Sequence, residues 1–239
     1  MDSYLDSVKD VYSNSDIYHK ENEFFISYYA QRICELSSGG GCLDLGLGHG
    51  ITIKLFEKRF NRYVVVEGSG KLIKDYYNTN PDTNVEICQS FFESYETNEK
   101  FDVIIMGFVL EHVDDPLLIL KKFKAFLKPE GIMYAAVPNC ETLNRRIAME
   151  AGMISRMDFF TERCLASGHK QLFTMNSFKD VILAAGLSVE MMEGFYLKPI
   201  TTPQMLALNW NDDILWALMS LGKNYPELSF GLLAVVKHK

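Results

Sequence analysis

Short apolar segments alternate with amphipathic segments along most of the chain. The apolar segments are rich in β-branched residues and predict strands, whereas the segments between them carry apolar residues every three or four positions and predict helices. One predicted helix is clearly bounded, because Asp114 or Asp115 can cap it, Pro116 suits its first turn, and Pro129 with Gly131 ends it. Strands are predicted at 42–45, 63–66, 85–88, 101–106, 132–137, 187–192 and 230–236, and helices at about 24–33, 50–60, 71–77, 116–127, 175–185 and 206–221.

This alternation is typical of βαβ units, which place a mainly parallel sheet between two layers of helices. Residues 141–172 interrupt it, since they are mixed in character and too long for an ordinary connection. We therefore expect an α/β fold in a single domain, residues 1–239. Its expected parts are an N-terminal helical lid (1–40), a ligand-binding core (41–140), an insertion that forms a lid over the carboxyl edge of the sheet (141–172), and the C-terminal part of the sheet (173–239).

The composition is that of a folded acidic protein. Of its 239 residues 48% are apolar, and 24 Lys and Arg face 31 Asp and Glu, so the net charge is −7. This charge is a poor match for a phosphate backbone, and nucleic acid is not an expected partner. Five scattered cysteines without a CxxC pair predict free thiols and a cytoplasmic protein. We expect no signal peptide, because the chain does not begin with a basic leader, and no membrane span, because no run of about 20 apolar residues occurs. We also expect no metal site, because no histidine stands at metal-ligand spacing.

A glycine-rich turn follows the first predicted strand. Gly46, Gly48 and Gly50 stand just before the next helix, where glycines let the backbone turn tightly and approach a ligand closely. A dinucleotide-binding loop carries glycine or alanine at the sixth position of its pattern, and this chain has Ile51 there. Glu67 ends the second strand at the same edge, where a carboxylate can accept both hydroxyls of a ribose. The turn thus predicts a ribose-containing ligand and argues against a diphosphate.

Several stretches resemble, in their order, the motifs of class I S-adenosylmethionine-dependent methyltransferases. Residues 42–50, CLDLGLGHG, are similar to the glycine motif, with Leu47 where cysteine is usual. Residues 101–105, FDVII, and 109–116, VLEHVDDP, resemble a second signature, and FLKPEG at 126–131 resembles the LKPGG turn with Glu130 for its first glycine. Weaker similarity to small-molecule enzymes of sugar, lipopolysaccharide and natural-product pathways continues toward the end of the chain.

The resemblance implies a Rossmann-like sheet of seven strands with the last one antiparallel. It also implies S-adenosyl-L-methionine as cofactor, S-adenosyl-L-homocysteine as product, a small-molecule acceptor, and a monomer or homodimer. The cofactor-binding residues that it implies are Asp44, Gly46 and Gly48 (the two glycines at the methionine part), Glu67 at the ribose, Phe91 and Phe92 at the adenine, and Gly107 and Phe108 at the sulfonium.

Methyl transfer requires alignment of the nucleophile, the methyl group and the sulfur, and a base only when the acceptor must lose its proton early. His112, just after the fourth strand, and His169, in the insertion, are the candidate catalytic residues. A structural histidine is the alternative for each. Arg145, Arg146 and Lys170 make the insertion basic and are candidate substrate-binding residues for an anionic acceptor. The alternative for these three is solvated surface charge.

The expected function is O- or N-methylation of a small, anionic metabolite in a sugar, lipopolysaccharide or natural-product pathway. One alternative is an NAD(P)-dependent oxidoreductase, against which Ile51 argues. Another is a catalytically inactive methyltransferase-like subunit, against which the intact Gly46, Gly48 and Glu67 argue. A nucleic-acid methyltransferase of the amino-methylating type would carry an Asn/Asp-Pro-Pro-aromatic run after the fourth strand, where this chain reads GFVLE.

Overall fold

A seven-stranded sheet forms the centre of the molecule in the computed structural model, which describes residues 18–239. The strands lie in the order β3-β2-β1-β4-β5-β7-β6. Strands β1 to β5 are parallel to one another, and β7 runs antiparallel to both β5 and β6. The expected mostly parallel sheet with an antiparallel last strand is confirmed. The strands are β1 Gly41–Leu45, β2 Arg62–Glu67, β3 Glu86–Gln89, β4 Phe101–Gly107, β5 Leu127–Pro138, β6 Leu187–Phe195 and β7 Gly231–His238.

Helices cover both faces of this sheet. Alternate residues of β4 supply one core each, with Ile104 and Met106 on one face and Val103 and Ile105 on the other. Helices α4 and α7 pack on the first face, and α1, α2, α3, α8 and α9 pack on the second. The α-helices are α1 His19–Leu36, α2 Ile53–Arg59, α3 Gly70–Thr79, α4 Pro116–Lys124, α5 Leu143–Glu150, α6 Glu162–Ala166, α7 Met175–Ala184, α8 Thr202–Ala207 and α9 Asp212–Leu221.

The ends of the helices follow local chemistry. Asp115, rather than Asp114, caps α4, because its side chain accepts a hydrogen bond from the backbone N–H of Leu118. The predicted helix over 206–221 is two helices, α8 and α9. Between them Asn209 has a left-handed backbone (φ 47°) and the side chain of Asn211 caps α9. Both positions are inside an apolar segment, so the spacing of apolar residues did not indicate a break between two helices.

The carboxyl edge of the sheet gathers the loops that the sequence singled out. The glycine turn follows β1, Glu67 ends β2, and Gly107 ends β4. The insertion, 141–172, contributes α5 and α6 above this edge, and its return segment is tied down by backbone bonds from Lys170 and Gln171 to the carbonyl of Glu111. Residues 1–17 of the predicted N-terminal lid lie outside the described residues. None of the helices within 18–239 is long and apolar enough to cross a membrane.

Candidate active site

A cavity of about 780 Å³ opens at the carboxyl edge of the sheet. Its floor is built by the residues that follow β1, β4 and β5, and its walls by α1, by the insertion and by the segment after β6. This volume is within the range of small-molecule sites. The insertion was expected over this edge, and it lines the cavity through residues of both α5 and α6.

The glycine turn presents its backbone to the cavity. Gly46 (φ 88°) and Gly48 (φ 51°) both have left-handed backbones, which L side chains rarely adopt, and both line the cavity. A Cβ atom at Gly48 would have no neighbour within 4 Å. The turn therefore leaves open space directly above its own main chain at Gly48.

Glu67 lies beneath the turn and holds it in place. Its Oε2 atom accepts a hydrogen bond from the N–H of Leu47 (2.9 Å), and its Oε1 atom accepts one from the N–H of Ser69 (2.7 Å). The residue is 8% exposed and is not part of the cavity lining. Each carboxylate oxygen can accept a second bond, so a structural role in the turn leaves acceptor capacity for a ligand.

Asp44 lines the cavity from within β1. Its Oδ2 atom accepts a hydrogen bond from the hydroxyl of Tyr63 at 2.7 Å. Burial raises the pKa of Asp44 to about 7, although the hydrogen bond from Tyr63 opposes the shift. The carboxyl group is consequently protonated in the folded protein under mildly acidic conditions.

Of the two phenylalanines after β3, Phe92 lies beside the turn. Its ring would come within 4.0 Å of a Cβ atom at Gly46, whereas Phe91 is exposed at the surface. Neither is part of the cavity lining.

The end of β4 forms part of the cavity floor through Gly107 and Phe108. A Cβ atom at Gly107 would collide with the hydroxyl of Tyr29, so only glycine fits. Phe108 has a positive φ of 58°, uncommon for a bulky residue, and its ring packs against Phe25 and Tyr29 of α1. The strained backbone turns the chain sharply where β4 meets the cavity.

Glu111, His112 and His169 meet on one wall of the cavity. The two imidazole rings stand edge to face with their centroids 4.9 Å apart. Burial lowers the pKa of both histidines, that of His169 to about 4, with the neighbouring His112 adding to the shift. Glu111 is 1% exposed, and burial raises its pKa to about 8. The structure thus brings together both candidate catalytic residues and adds a carboxyl group to which the sequence had assigned no role.

The three basic candidates of the insertion have different positions. Arg145 lines the cavity, donates to the carbonyls of Met157 and Phe159, and stacks on the Phe159 ring at 4.4 Å. Arg146 and Lys170 are outside the cavity lining and pair with Glu141 and Asp114, respectively. Of these three residues, Arg145 is the one that the structure places where an acceptor could meet it.

Two functional features escaped the sequence analysis. Glu21 of α1 and Lys198 after β6 form a buried ion pair at the cavity wall. They become neighbours only when β6 is in the sheet, so no local pattern signals them. Tyr29 of α1 lies in the helix predicted at about 24–33, and the sequence indicates no further role for it. Its hydroxyl lies buried at the cavity, with no hydrogen-bond partner among residues 18–239.

Comparison with known proteins points to one kind of domain. The sequence profile of a family described as "Methyltransferase domain" matches residues 18–191. A ubiquinone biosynthesis O-methyltransferase of Parvibaculum lavamentivorans is 28% identical over 164 residues, which are 66% of this chain and 63% of that protein. An (S)-coclaurine N-methyltransferase of Papaver somniferum is 25% identical over 149 residues, 60% of this chain and 41% of that protein. The chain spans just under two thirds of the first of these relatives.

Solved structures share the fold over the whole chain. One described as a SAM-dependent methyltransferase, possible histamine N-methyltransferase, from Thermotoga maritima superposes with a TM-score of 0.65 at 14% identity, and the match covers 100% of this chain and 97% of that one. A complex of DhpI with S-adenosylhomocysteine superposes with a TM-score of 0.64, also at 14% identity, over 99% and 94% of the two chains. At such low identity these matches establish the architecture.

Proposed function

Because the chain belongs to the class I S-adenosylmethionine-dependent methyltransferases, we propose that it transfers a methyl group from S-adenosyl-L-methionine to a small acceptor bound in the cavity above the glycine turn. The observation that carries the proposal is the open space above Gly48, next to a wall of polar side chains in the same cavity. The family match favours methyl transfer over the oxidoreductase alternative, and the intact turn argues against an inactive subunit.

The residues present fit the cofactor. Gly46 and Gly48 have left-handed backbones with open space above Gly48, and the buried hydroxyl of Tyr29 offers a hydrogen bond that nothing in the described chain takes up. In our proposal the turn holds the methionine part, Glu67 holds the ribose through its remaining lone pairs, and Phe92 borders the adenine. When bound, S-adenosyl-L-methionine supplies an electrophilic methyl group on a sulfonium.

The chain's own contribution is orientation and exclusion of water. The residue before α1 and the insertion meet at the cavity, where the guanidinium of Arg163 lies 4.3 Å from the centre of the Tyr18 ring. The buried pair of Glu21 and Lys198 fixes α1 to the opposite wall. A reacting pair of molecules in this cavity is therefore enclosed by two segments that are distant in the sequence.

We assign the acceptor to the wall formed by the insertion. His169 and Arg145 of the insertion line this wall together with His112, and Arg145 supplies positive charge for an anionic group. We propose an oxygen nucleophile on a small anionic metabolite, in keeping with the names of the ubiquinone-pathway relatives. A role in a sugar, lipopolysaccharide or natural-product pathway, in the cytoplasm and as a monomer or homodimer, is part of the same proposal, and the five free cysteines support a reducing compartment.

Calorimetry with S-adenosyl-L-methionine and S-adenosyl-L-homocysteine tests the proposal. We expect one site per chain with micromolar affinity, about −7 to −9 kcal/mol, and a rise in melting temperature with either ligand. Absence of both heat and melting shift would contradict the proposed function.

A further inference from the structure

Glu111, His112 and His169 have the composition and spacing of a metal-ligand set. One ligand atom from each lies within 4.8 Å of those of the other two. Two ligand atoms on a divalent transition metal, each about 2.1 Å from the ion, are roughly 3 to 3.4 Å apart. Side-chain movements of about an ångström would therefore bring the three groups into coordination. All three residues also line the cavity, so an ion here would face the acceptor.

The carboxylate of Glu111 supplies a second and independent observation. It is 1% exposed, and its Oε2 atom has no hydrogen-bond partner in the described part of the chain. Lys170, whose backbone N–H bonds to the carbonyl of Glu111, directs its ammonium group to Asp114 instead. A buried carboxyl oxygen without a partner is costly, and a cation between Glu111 and the two imidazoles would provide one.

The hydrogen bonding of His112 fits the same role. Its Nδ1 atom lies 3.3 Å from the carbonyl oxygen of Gly168, and its Nε2 atom lies 3.9 Å from Oε1 of Glu111. A proton on Nδ1 donated to that carbonyl leaves the Nε2 lone pair directed at the carboxylate. Histidines that bind metals usually donate their second ring nitrogen to a carbonyl or carboxylate in this way.

We infer that Glu111, His112 and His169 form a divalent-metal site that binds an acceptor with two adjacent oxygen atoms. The inference rests on the proposed function and specifies its acceptor. Two imidazoles with one carboxylate favour a transition metal over Mg²⁺ or Ca²⁺ and leave further coordination positions open. Two neighbouring hydroxyls, or a hydroxyl beside a carboxylate, would fill two of those positions and fix the orientation of the acceptor.

Atoms and charges balance in the methyl transfer that such a site would support. The acceptor hydroxyl gives its proton to solvent, because a divalent cation stabilises the oxygen anion. A lone pair of that oxygen forms the new carbon–oxygen bond as the methyl carbon–sulfur bond breaks, and the electron pair of the broken bond stays on sulfur. In this arrangement His112 and His169 hold the cation and do not remove the proton.

This site differs from the expectation of the sequence analysis, which found no metal-ligand spacing. Glu111 and His112 follow β4, whereas His169 is in the insertion and reaches them only because Lys170 and Gln171 bond to the carbonyl of Glu111. A metal site assembled from two distant segments has no signature in either one.

Titration of the chelator-treated protein with Co²⁺, with and without S-adenosyl-L-homocysteine, tests the inference. We expect one equivalent of Co²⁺ and visible ligand-field absorption. Glu111→Gln and His169→Ala should each weaken binding at least tenfold. The matched controls Glu162→Gln, a carboxylate elsewhere in the cavity lining, and His238→Ala, a histidine far from it, should not. Catechol, with two adjacent hydroxyls, should alter the absorption spectrum, whereas phenol should leave it unchanged.

The outcomes separate the inference from the proposed function. No stoichiometric Co²⁺ binding, or binding that all four variants retain, would overturn the metal site even if S-adenosyl-L-homocysteine binds. Failure of S-adenosyl-L-homocysteine to bind would contradict the proposed function, and the Co²⁺ titration without it would still decide the site. Melting temperatures and S-adenosyl-L-homocysteine affinities of the variants show whether each one folds; if Glu111→Gln does not, His169→Ala carries the test.

Discussion

The Nζ atom of Lys198 lies 2.7 Å from the Oε1 atom of Glu21, and both side chains are more than nine-tenths buried. The other oxygen of Glu21 accepts a hydrogen bond from Thr202 at 2.6 Å, and the hydroxyl of Tyr196 also donates to Glu21. This network fastens the first turn of α1 to the chain that leaves β6. The position of the N-terminal helix over the cavity is thus set by charge and not only by its apolar face.

Removing one member of this pair should destabilise the protein markedly. We expect Glu21→Gln to lower the free energy of unfolding by about 3 kcal/mol, because it leaves a buried ammonium uncompensated. Lys20→Gln, which breaks the exposed pair of Lys20 with Asp212 on the same helix, should cost less than about 1 kcal/mol. Urea denaturation measures both. If the two substitutions lowered the free energy of unfolding equally, burial of the Glu21–Lys198 pair would be unimportant for stability.

Substituting Glu67 should weaken cofactor binding. We expect Glu67→Ala to lower the affinity for S-adenosyl-L-homocysteine by about 1–3 kcal/mol, through loss of bonds to the ribose and of the bonds that hold Leu47 and Ser69. Glu67→Gln should not restore binding, since both backbone N–H groups need an oxygen. Calorimetry with the exposed Glu99→Ala as control measures the effect, and unchanged affinity in Glu67→Ala would place the ribose elsewhere.

Asp44 should make stability depend on pH. Its pKa is about 7 in the folded protein against an ordinary 3.8, so the folded state binds the proton more tightly than the unfolded state. The protonated Asp44 therefore makes its full contribution to the free energy of unfolding below about pH 4. This contribution is lost as the pH rises to 7, by at most about 1.4 kcal/mol per pH unit.

Asp44→Asn should remove this dependence while its amide oxygen still accepts the bond from Tyr63. Unfolding free energies between pH 5 and pH 8 measure it, with the exposed Asp75→Asn as control. Parallel pH curves for the native protein and Asp44→Asn would contradict the assignment.

Tyr29→Phe should separate stability from binding. The hydroxyl of Tyr29 is buried without a partner in the described protein, so its removal should leave the unfolding free energy unchanged or raise it. If the hydroxyl bonds to the cofactor, as we propose, the affinity for S-adenosyl-L-homocysteine should fall by about 1 kcal/mol, roughly fivefold. Denaturation and calorimetry on the same variant give both values. Lower stability with full affinity would assign Tyr29 to the core alone.

Arg145→Met should affect the acceptor and not the cofactor. We expect a higher Michaelis constant for an anionic probe acceptor, 3,4-dihydroxybenzoate, with S-adenosyl-L-homocysteine affinity within about 0.5 kcal/mol of the native value. Lys170→Gln is the control, because its ammonium group faces Asp114 outside the cavity lining. Release of S-adenosyl-L-homocysteine measures the transfer. If both variants raised the Michaelis constant equally, selectivity for an anionic acceptor would come from the general charge of the insertion and not from Arg145.

Local chemistry was readable from the sequence, and contacts between distant segments were not. The glycine turn, Pro116 and the alternation in β4 act over a few residues, so their patterns predicted the turn, the start of α4 and the two-faced sheet. The pair of Glu21 with Lys198 and the contact of His112 with His169 depend on how β6 and the insertion pack. Charged residues in the insertion looked alike in the sequence, and only packing distinguishes Arg145 from Lys170.

The position of β7 between β5 and β6 has a consequence for biosynthesis. Residues 187–195 leave the ribosome well before residues 231–238, yet within residues 18–239 the strand that pairs with β6 is β7. Until β7 is translated, β6 lacks this neighbour and β5 carries an open edge along Met133 to Pro138. Nascent chains stalled in this interval would expose unpaired strands that can pair with one another. Slower translation of residues 196–238 should consequently increase aggregation more than an equal delay before residue 187.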